Sequence, residues 1–191
     1  MSAVPSINIT GLGAMRGGRI LFTGVSLSVE AGKVCVLRGA NGSGKTTLLR
    51  LLAGLIPVEA GEVTVNGAVH WLGHADGLKP HETPRNHLEH WASAWGSDAD
   101  ISGILSRNGV ERAADVSATG LSAGQRRRTA FGRLQLTDRP IWLLDEPFSA
   151  LDADGKDLIA KQISDHRDAG GVTIASAHGE LPLEADQELM L

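Results

Sequence analysis

The sequence predicts an α/β fold built on a mostly parallel sheet. Three observations carry that reading: the continuous apolar runs Val34–Leu37 and Ile141–Leu144, helical patterns placed between strand patterns, and a glycine-rich turn joining the first run to the first helix. A run apolar at every position suits a parallel strand buried on both faces. Strand, helix and strand in alternation then place helices over such a sheet.

The first third reads as short strands separated by glycine turns: Ile7–Ile9, Val25–Val29 with period-two alternation, and Lys33–Leu37. A helix follows the glycine-rich loop, and Leu48, Leu52 and Leu55 recur on it at helical spacing, which predicts a core-facing stripe. Gly61–Gly67 is a β-type run that Asn66-Gly67 is expected to turn back on itself. From Pro80 to about Leu136 the pattern becomes helical and more polar, as expected of an inserted helical lobe. Ile141–Leu144 then reads as a buried strand, Lys156–Ala169 as a helix ended by Gly170-Gly171, and Val172–Ser176 as a further buried strand. No internal repeat or low-complexity linker interrupts the 191 residues, a length that fits one α/β domain.

Composition narrows the function classes. With 42% hydrophobic and 21% charged residues the chain is globular, and a net charge of −4 gives no electrostatic basis for a nucleic-acid partner. The single cysteine, Cys35, excludes an internal disulfide and, within Val34–Leu37, reads as a small core residue. Met1–Asn8 lacks the basic start and apolar stretch of a secretory leader. No segment reaches the roughly 18 apolar residues that cross a bilayer. A role at a membrane therefore requires another polypeptide to supply the span.

Gly39-Ala40-Asn41-Gly42-Ser43-Gly44-Lys45-Thr46-Thr47 fits G-x-x-x-x-G-K-[ST] between a strand and a helix. Glycines let successive backbone N–H groups turn inward around phosphate oxygens, and the helix start adds positive potential. Lys45 is then expected to reach the β- and γ-phosphates of a nucleotide and Thr46 to ligate Mg²⁺. Ile141–Leu144 ends in Asp145-Glu146, at the edge where open α/β sheets bind ligands. Asp145 is the expected second Mg²⁺ residue. Glu146 is the expected base for the water that attacks the γ-phosphate. These features alone leave kinases, GTPases and helicases open.

Leu121-Ser122-Ala123-Gly124-Gln125 followed by Arg126-Arg127, Ser149-Ala150-Leu151-Asp152, and Ser176-Ala177-His178 decide among them. In this order they resemble the signature motif, D-loop and switch histidine of ATP-binding cassette (ABC) proteins. The resemblance implies a P-loop NTPase of the ABC type, with an N-terminal antiparallel β subdomain and a short helical lobe. It also implies that two copies pair head to tail, each ATP lying between the phosphate loop of one and the signature of the other. Ser122, Gly124, Gln125 and Asp152 are then contacts made toward the second copy, and His178 joins Glu146 in catalysis. A basic, solvated face over Arg126–Arg128 is the other reading of that helix.

Two family features are missing. The aromatic residue that stacks on adenine has no equivalent in Ala14–Arg19, where Arg16 is the substitute, stacking through its guanidinium plane. The Mg²⁺-sensing glutamine is replaced in Trp71–Pro80, with His74 as the stand-in. Five histidines, His70, His74, His81, His87 and His90, fall in or near this segment, over 70–90, with Trp71, Trp91 and Trp95 close by. Their spacing matches no metal motif, and the reading preferred over a metal or heme site is an aromatic-rich contact surface for a partner.

Leu-Gly-His before Gly-Leu-Lys, the LSAGQ form and Ile-Trp-Leu-Leu-Asp-Glu-Pro-Phe-Ser-Ala further resemble the ATP-binding subunits of the heme export system of cytochrome c biogenesis. That likeness implies a peripheral subunit on the cytoplasmic face of a bacterial inner membrane, bound to separate integral membrane subunits and powered by ATP with Mg²⁺. The competing possibilities are an ABC subunit of another export system, or a soluble ABC protein acting as a clamp or scaffold.

Overall fold

The computed structural model describes residues 4–177, 179 and 181–191; the expected switch residue His178 lies outside the described residues. The chain forms two compact units, one of residues 1–73, 139–146 and 163–191, the other of residues 74–138 and 147–162.

The first unit holds, in chain order, β1 (Ser6–Arg16), β2 (Arg19–Glu30), β3 (Lys33–Arg38), α1 (Lys45–Leu52), β4 (Ala60–Asn66), β5 (Val69–Leu72), β6 (Ile141–Asp145), β7 (Val172–Ser176) and β8 (Gln187–Met190). An antiparallel sheet of order β2-β1-β4 and a parallel sheet of order β5-β6-β7-β3-β8 result. Both the N-terminal antiparallel subdomain and the parallel core therefore match the fold class expected. β6 and β7 are buried at every residue, which is why they read as apolar runs rather than alternating ones. Ile141, Leu143, Val172 and Ile174 of these strands, with Ile7, Leu12, Val29, Leu37, Leu48, Leu49 and Leu52, make one core. Cys35 lies in it, and burial, followed by the charge of Glu188, pushes its thiol up to about 12, so it stays protonated and inert.

Asn66-Gly67 does not fold its strand back on itself. β4 instead pairs with β1, Val63 opposite Ile9 and Val65 opposite Ile7, while β5 joins β6 in the other sheet. In those places Val63 and Val65 pack on the core and the backbone of buried β6 gains a ladder partner. Leu55 is not in the helical stripe: α1 ends at Leu52, Gly54 turns left-handed at φ 67, and Leu55 is 56% exposed. β1 and β2 run well beyond the short segments expected, because Gly11 and Gly24, at φ 59 and 69, do not end strands but sit beside register shifts within one ladder. β8 was not foreseen, its sequence being neither apolar nor alternating in burial.

The second unit contains α2 (Pro84–Trp95), α3 (Ile101–Arg107), α4 (Ala123–Gly132) and the first ten residues of α5 (Ala153–Asp168), which starts three residues before the expected helix. α2 starts as its sequence dictates, Thr83 Oγ1 accepting from Asn86 N at 3.2 Å with Pro84 in the first turn, and ends at Gly96 with φ 64. Leu88, Ala92, Ile104, Leu105, Val110 and Leu136 form a separate small core.

Candidate nucleotide-binding site

The parallel register sets the site. Leu37 lies opposite Ser176, and Ser176 opposite Asp145, so the C-terminal ends of β3, β7 and β6 share one edge. The loop from Gly39 to Gly44 leaves β3 at that edge, with Gly39, Gly42 and Gly44 at φ 142, 80 and 111. A side chain at Gly39 would overlap the Leu191 carbonyl oxygen and lie 2.7 Å from Ser43 Oγ, and one at Gly44 would lie 2.8 Å from Phe22 Cδ1. Only glycine serves at either place. Lys45 opens α1 and is buried, its Nζ donating to the carbonyls of Gly39 at 2.8 Å and Ala40 at 3.0 Å. No side chain caps α1 and no acid stands in its first turn, so its N-terminus keeps its positive potential. Ser43 Oγ is buried with no hydrogen-bond partner among the described residues. An orphaned hydroxyl inside a glycine-rich loop at a helix start fits an anion.

Beside the loop, Thr46 Oγ1 donates to Asp145 Oδ2 at 2.9 Å, and Ser176 Oγ donates to Asp145 Oδ1 at 2.7 Å. Ser176 Oγ in turn accepts from the backbone N of Glu146 at 2.9 Å, and Glu146 is left-handed at φ 50. Thr46 and Asp145 supply hard oxygen ligands of the kind Mg²⁺ takes. A cleft of about 260 Å³ brings Arg16, Asn41, Gly42, Gly44, Lys45, Thr46, Thr47 and Glu146 together, with Leu21. Arg16 and Thr47 also line a neighbouring cavity of about 350 Å³ with Met15, Arg50 and Glu59. Sequence reasoning missed Ser176. The available signal was a hydroxyl closing a buried strand directly before Ala177-His178.

In the second unit Ser122 caps α4: its Oγ accepts from Gln125 N at 3.1 Å while Gln125 Oε1 accepts from Ser122 N at 2.8 Å, a reciprocal capping box. Gly124 lies against the carbonyl of Ala150, which would stand 3.2 Å from an added Cβ. Asp152 Oδ1 accepts from Gly155 N at 2.9 Å at the start of α5, yet its side chain is 75% exposed. The basic run is not a solvated face. Arg126 Nη1 donates to the carbonyl of Leu121 at 2.7 Å, and Arg127 is only 2% exposed, reaching Asp76 Oδ1, His74 O and Pro147 O at 3.4 Å each. Three adjacent arginines differ because successive helix positions point in different directions, and position 127 points inward.

His70 and His87 are buried and so cannot contribute to a histidine-rich contact surface. Burial holds the His87 imidazole below its ordinary value, opposed by the hydrogen bond with Glu82 and aided by the charge of Arg133. His87 Nδ1 stands 2.8 Å from Glu82 Oε2. The acceptor-only carboxylate therefore assigns the ring proton to Nδ1. Among the described residues no group of three histidine, cysteine or acidic side chains could hold a metal, so no ligand set surrounds His74. No described helix is long and apolar enough to cross a membrane.

Residues 22–149 match the ABC transporter family. The chain belongs to the ABC transporter family. It is 53% identical over 191 residues, covering 100% of this chain and 99% of the relative, to the Cytochrome c biogenesis ATP-binding export protein CcmA of Hyphomonas neptunium. It is 42% identical over 185 residues, 92% of each chain, to the protein of the same name from Rhodopseudomonas palustris strain BisB5. An ABC transporter ATP-binding protein from Pyrococcus furiosus has the same fold, with a TM-score of 0.84 at 24% identity over 97% of both chains. As an ABC transporter ATP-binding chain it binds ATP. Its glycine loop, Lys45 and the Thr46–Asp145 pair are the groups suited to a triphosphate, and Glu146 lines the same cleft.

Proposed function

We propose that this chain is the ATP-hydrolysing motor subunit of an ABC exporter serving cytochrome c biogenesis, with heme as the cargo of the assembly. Full-length similarity to proteins named for that role supports the assignment. The observation that carries the hydrolytic reading is the joining of Thr46, Asp145, Ser176 and Glu146 by three hydrogen bonds beside the phosphate loop.

In this reading both units act as one ATP-binding domain. Loop amides from Gly39 to Gly44, the Ser43 hydroxyl, Lys45 and Thr47 hold the phosphates, and Arg16 lies along the base. Thr46 and Asp145 would hold Mg²⁺, which would neutralise phosphate charge, and His74 is the proposed stand-in for the missing glutamine. Glu146 accepts a proton from water as the water oxygen bonds to the γ-phosphorus and the bond to the β-phosphate oxygen breaks, releasing ADP and phosphate. His178 is assigned to hold that water and Glu146 in line. Ser122, Gly124, Gln125 and Asp152 face the nucleotide of a second copy, so binding closes the pair and hydrolysis parts it. Separate integral membrane subunits supply the span at the cytoplasmic face of the bacterial inner membrane, and no nucleic acid takes part.

Glu146→Gln tests the reading. It is expected to keep ATP affinity, to lose roughly 10² or more in turnover, the scale of general-base assistance, and to accumulate as an ATP-bound dimer in light scattering. Turnover at the normal rate, or an ATP-loaded variant that stays monomeric, rejects it.

A further inference from the structure

We propose that Ser176 is a positioning residue for hydrolysis, its one hydroxyl orienting Asp145 toward the metal and fixing the backbone from which Glu146 reaches the water. The inference rests on the roles proposed above for those two carboxylates.

Ser176 closes β7 and is fully buried, opposite Asp145 in the parallel ladder with β6. A serine hydroxyl has one proton to give. The Glu146 N–H can only donate, so the proton goes to Asp145 Oδ1, at 2.7 Å, and a lone pair of the same oxygen receives Glu146 N–H, at 2.9 Å. With Thr46 on Oδ2, each oxygen of Asp145 is engaged by a hydroxyl, which restrains the plane of the carboxylate. The second bond acts on a strained residue. Glu146 sits at φ 50, a conformation that non-glycine residues hold only when surrounding contacts impose it. Capture of its N–H by Ser176 is one of those contacts. A single side chain thus ties the orientation of the acid expected at the metal to that of the acid expected at the water.

Neither bond is made by a residue of the Gly39–Gly44 loop, so nucleotide affinity without Mg²⁺ is separable from rate. Backbone pairing holds β7 on both sides, Leu37 of β3 and Asp145 of β6 lying opposite Ser176, so the strand does not depend on the hydroxyl for its place.

The experiment compares Ser176→Ala, Ser176→Val and Ser176→Thr in the full chain, with Glu146→Gln as reference, reading kcat, KM, ATP affinity by calorimetry, and Tm. Ala and Val are expected to lower kcat about tenfold or more while ATP affinity measured in EDTA stays within about twofold, the pattern of a contact that the loop-bound nucleotide does not use. Thr, which keeps the hydroxyl and matches Val in shape, is expected to restore at least half of the rate. Normal kcat in Val, or equal loss in Val and Thr, overturns the proposal. If Val does not fold, the Ala and Thr pair decides in the same way. An inactive Glu146→Gln beside a fully active Ser176→Val would reject the positioning role alone, whereas an active Glu146→Gln rejects the assignment beneath it.

Discussion

Thr46 Oγ1 lies 2.9 Å from Asp145 Oδ2, a contact between residues 99 positions apart that joins the first turn of α1 to the end of β6. The helix start beside the phosphate loop and the acidic strand end are thereby held as one oxygen-rich corner, next to the buried Lys45. The geometry suits a small hard cation that keeps part of its water shell.

Asp145→Asn replaces an acceptor-only group by one with a donor end, directed at two hydroxyl donors. Nucleotide binding in EDTA is expected to be unchanged, while the gain in ATP affinity on adding Mg²⁺ falls by roughly 10- to 100-fold, the scale of a lost charge-assisted contact. Titration calorimetry with and without Mg²⁺ measures both. A variant with the full Mg²⁺ effect would remove Asp145 from the metal site.

Arg127 is a buried cation that pairs with Asp76, 24% exposed, and also donates to the carbonyls of His74 and Pro147. Arg127→Met leaves those carbonyls without their donor but allows Asp76 to rehydrate. The expected loss in stability is about 2–3 kcal/mol, below the full cost of stranding a buried charge. Urea unfolding reads it, and the double change Arg127→Met with Asp76→Leu is expected to recover part of the loss. A single variant as stable as the parent would show that the buried guanidinium contributes nothing net.

His87 gives the helical unit a pH dependence of defined direction. Its folded value lies below 6.5, so as pH drops under 6.5 the unfolded chain takes up a proton that the folded chain does not, and stability falls. Glu82 is shifted down as well: burial opposes that shift, and the hydrogen bonds from His87 and the Lys79 N–H outweigh it. Its contribution is present above 4.5 and is lost only on further acidification. Between these limits His87→Gln, which keeps a donor for Glu82 without titrating, is expected to flatten the stability curve. Identical slopes for parent and variant would exclude His87 as the source.

Much of this site was legible in the sequence because the groups that bind a triphosphate are local. Gly39–Thr47 is one continuous loop and helix start, Asp145-Glu146 are adjacent, and Ser122 with Gln125 form a cap whose spacing is set by one helical turn. Buried strands declare themselves equally well, since β6 and β7 must be apolar on both faces. What could not be read were choices made between distant segments. Asn66-Gly67 carries a hairpin signal, yet β4 takes β1 as its partner and β5 takes β6. Arg127 reads the same as Arg126 and Arg128 until the helix is packed.

Ser176 shows the division most clearly. Its sequence says only that a small polar residue ends a buried strand; parallel pairing places that residue opposite Asp145, and the left-handed turn at Glu146 then presents an N–H to the same oxygen. The sequence by itself determined the phosphate loop, the acidic strand end and the alternating α/β order, because short-range spacing and burial pattern encode them. Only the tertiary structure decided strand partners, the inward turn of Arg127 and the Thr46–Asp145–Ser176 cluster, because hydrogen bonds between segments far apart in the chain depend on register, which no local pattern records.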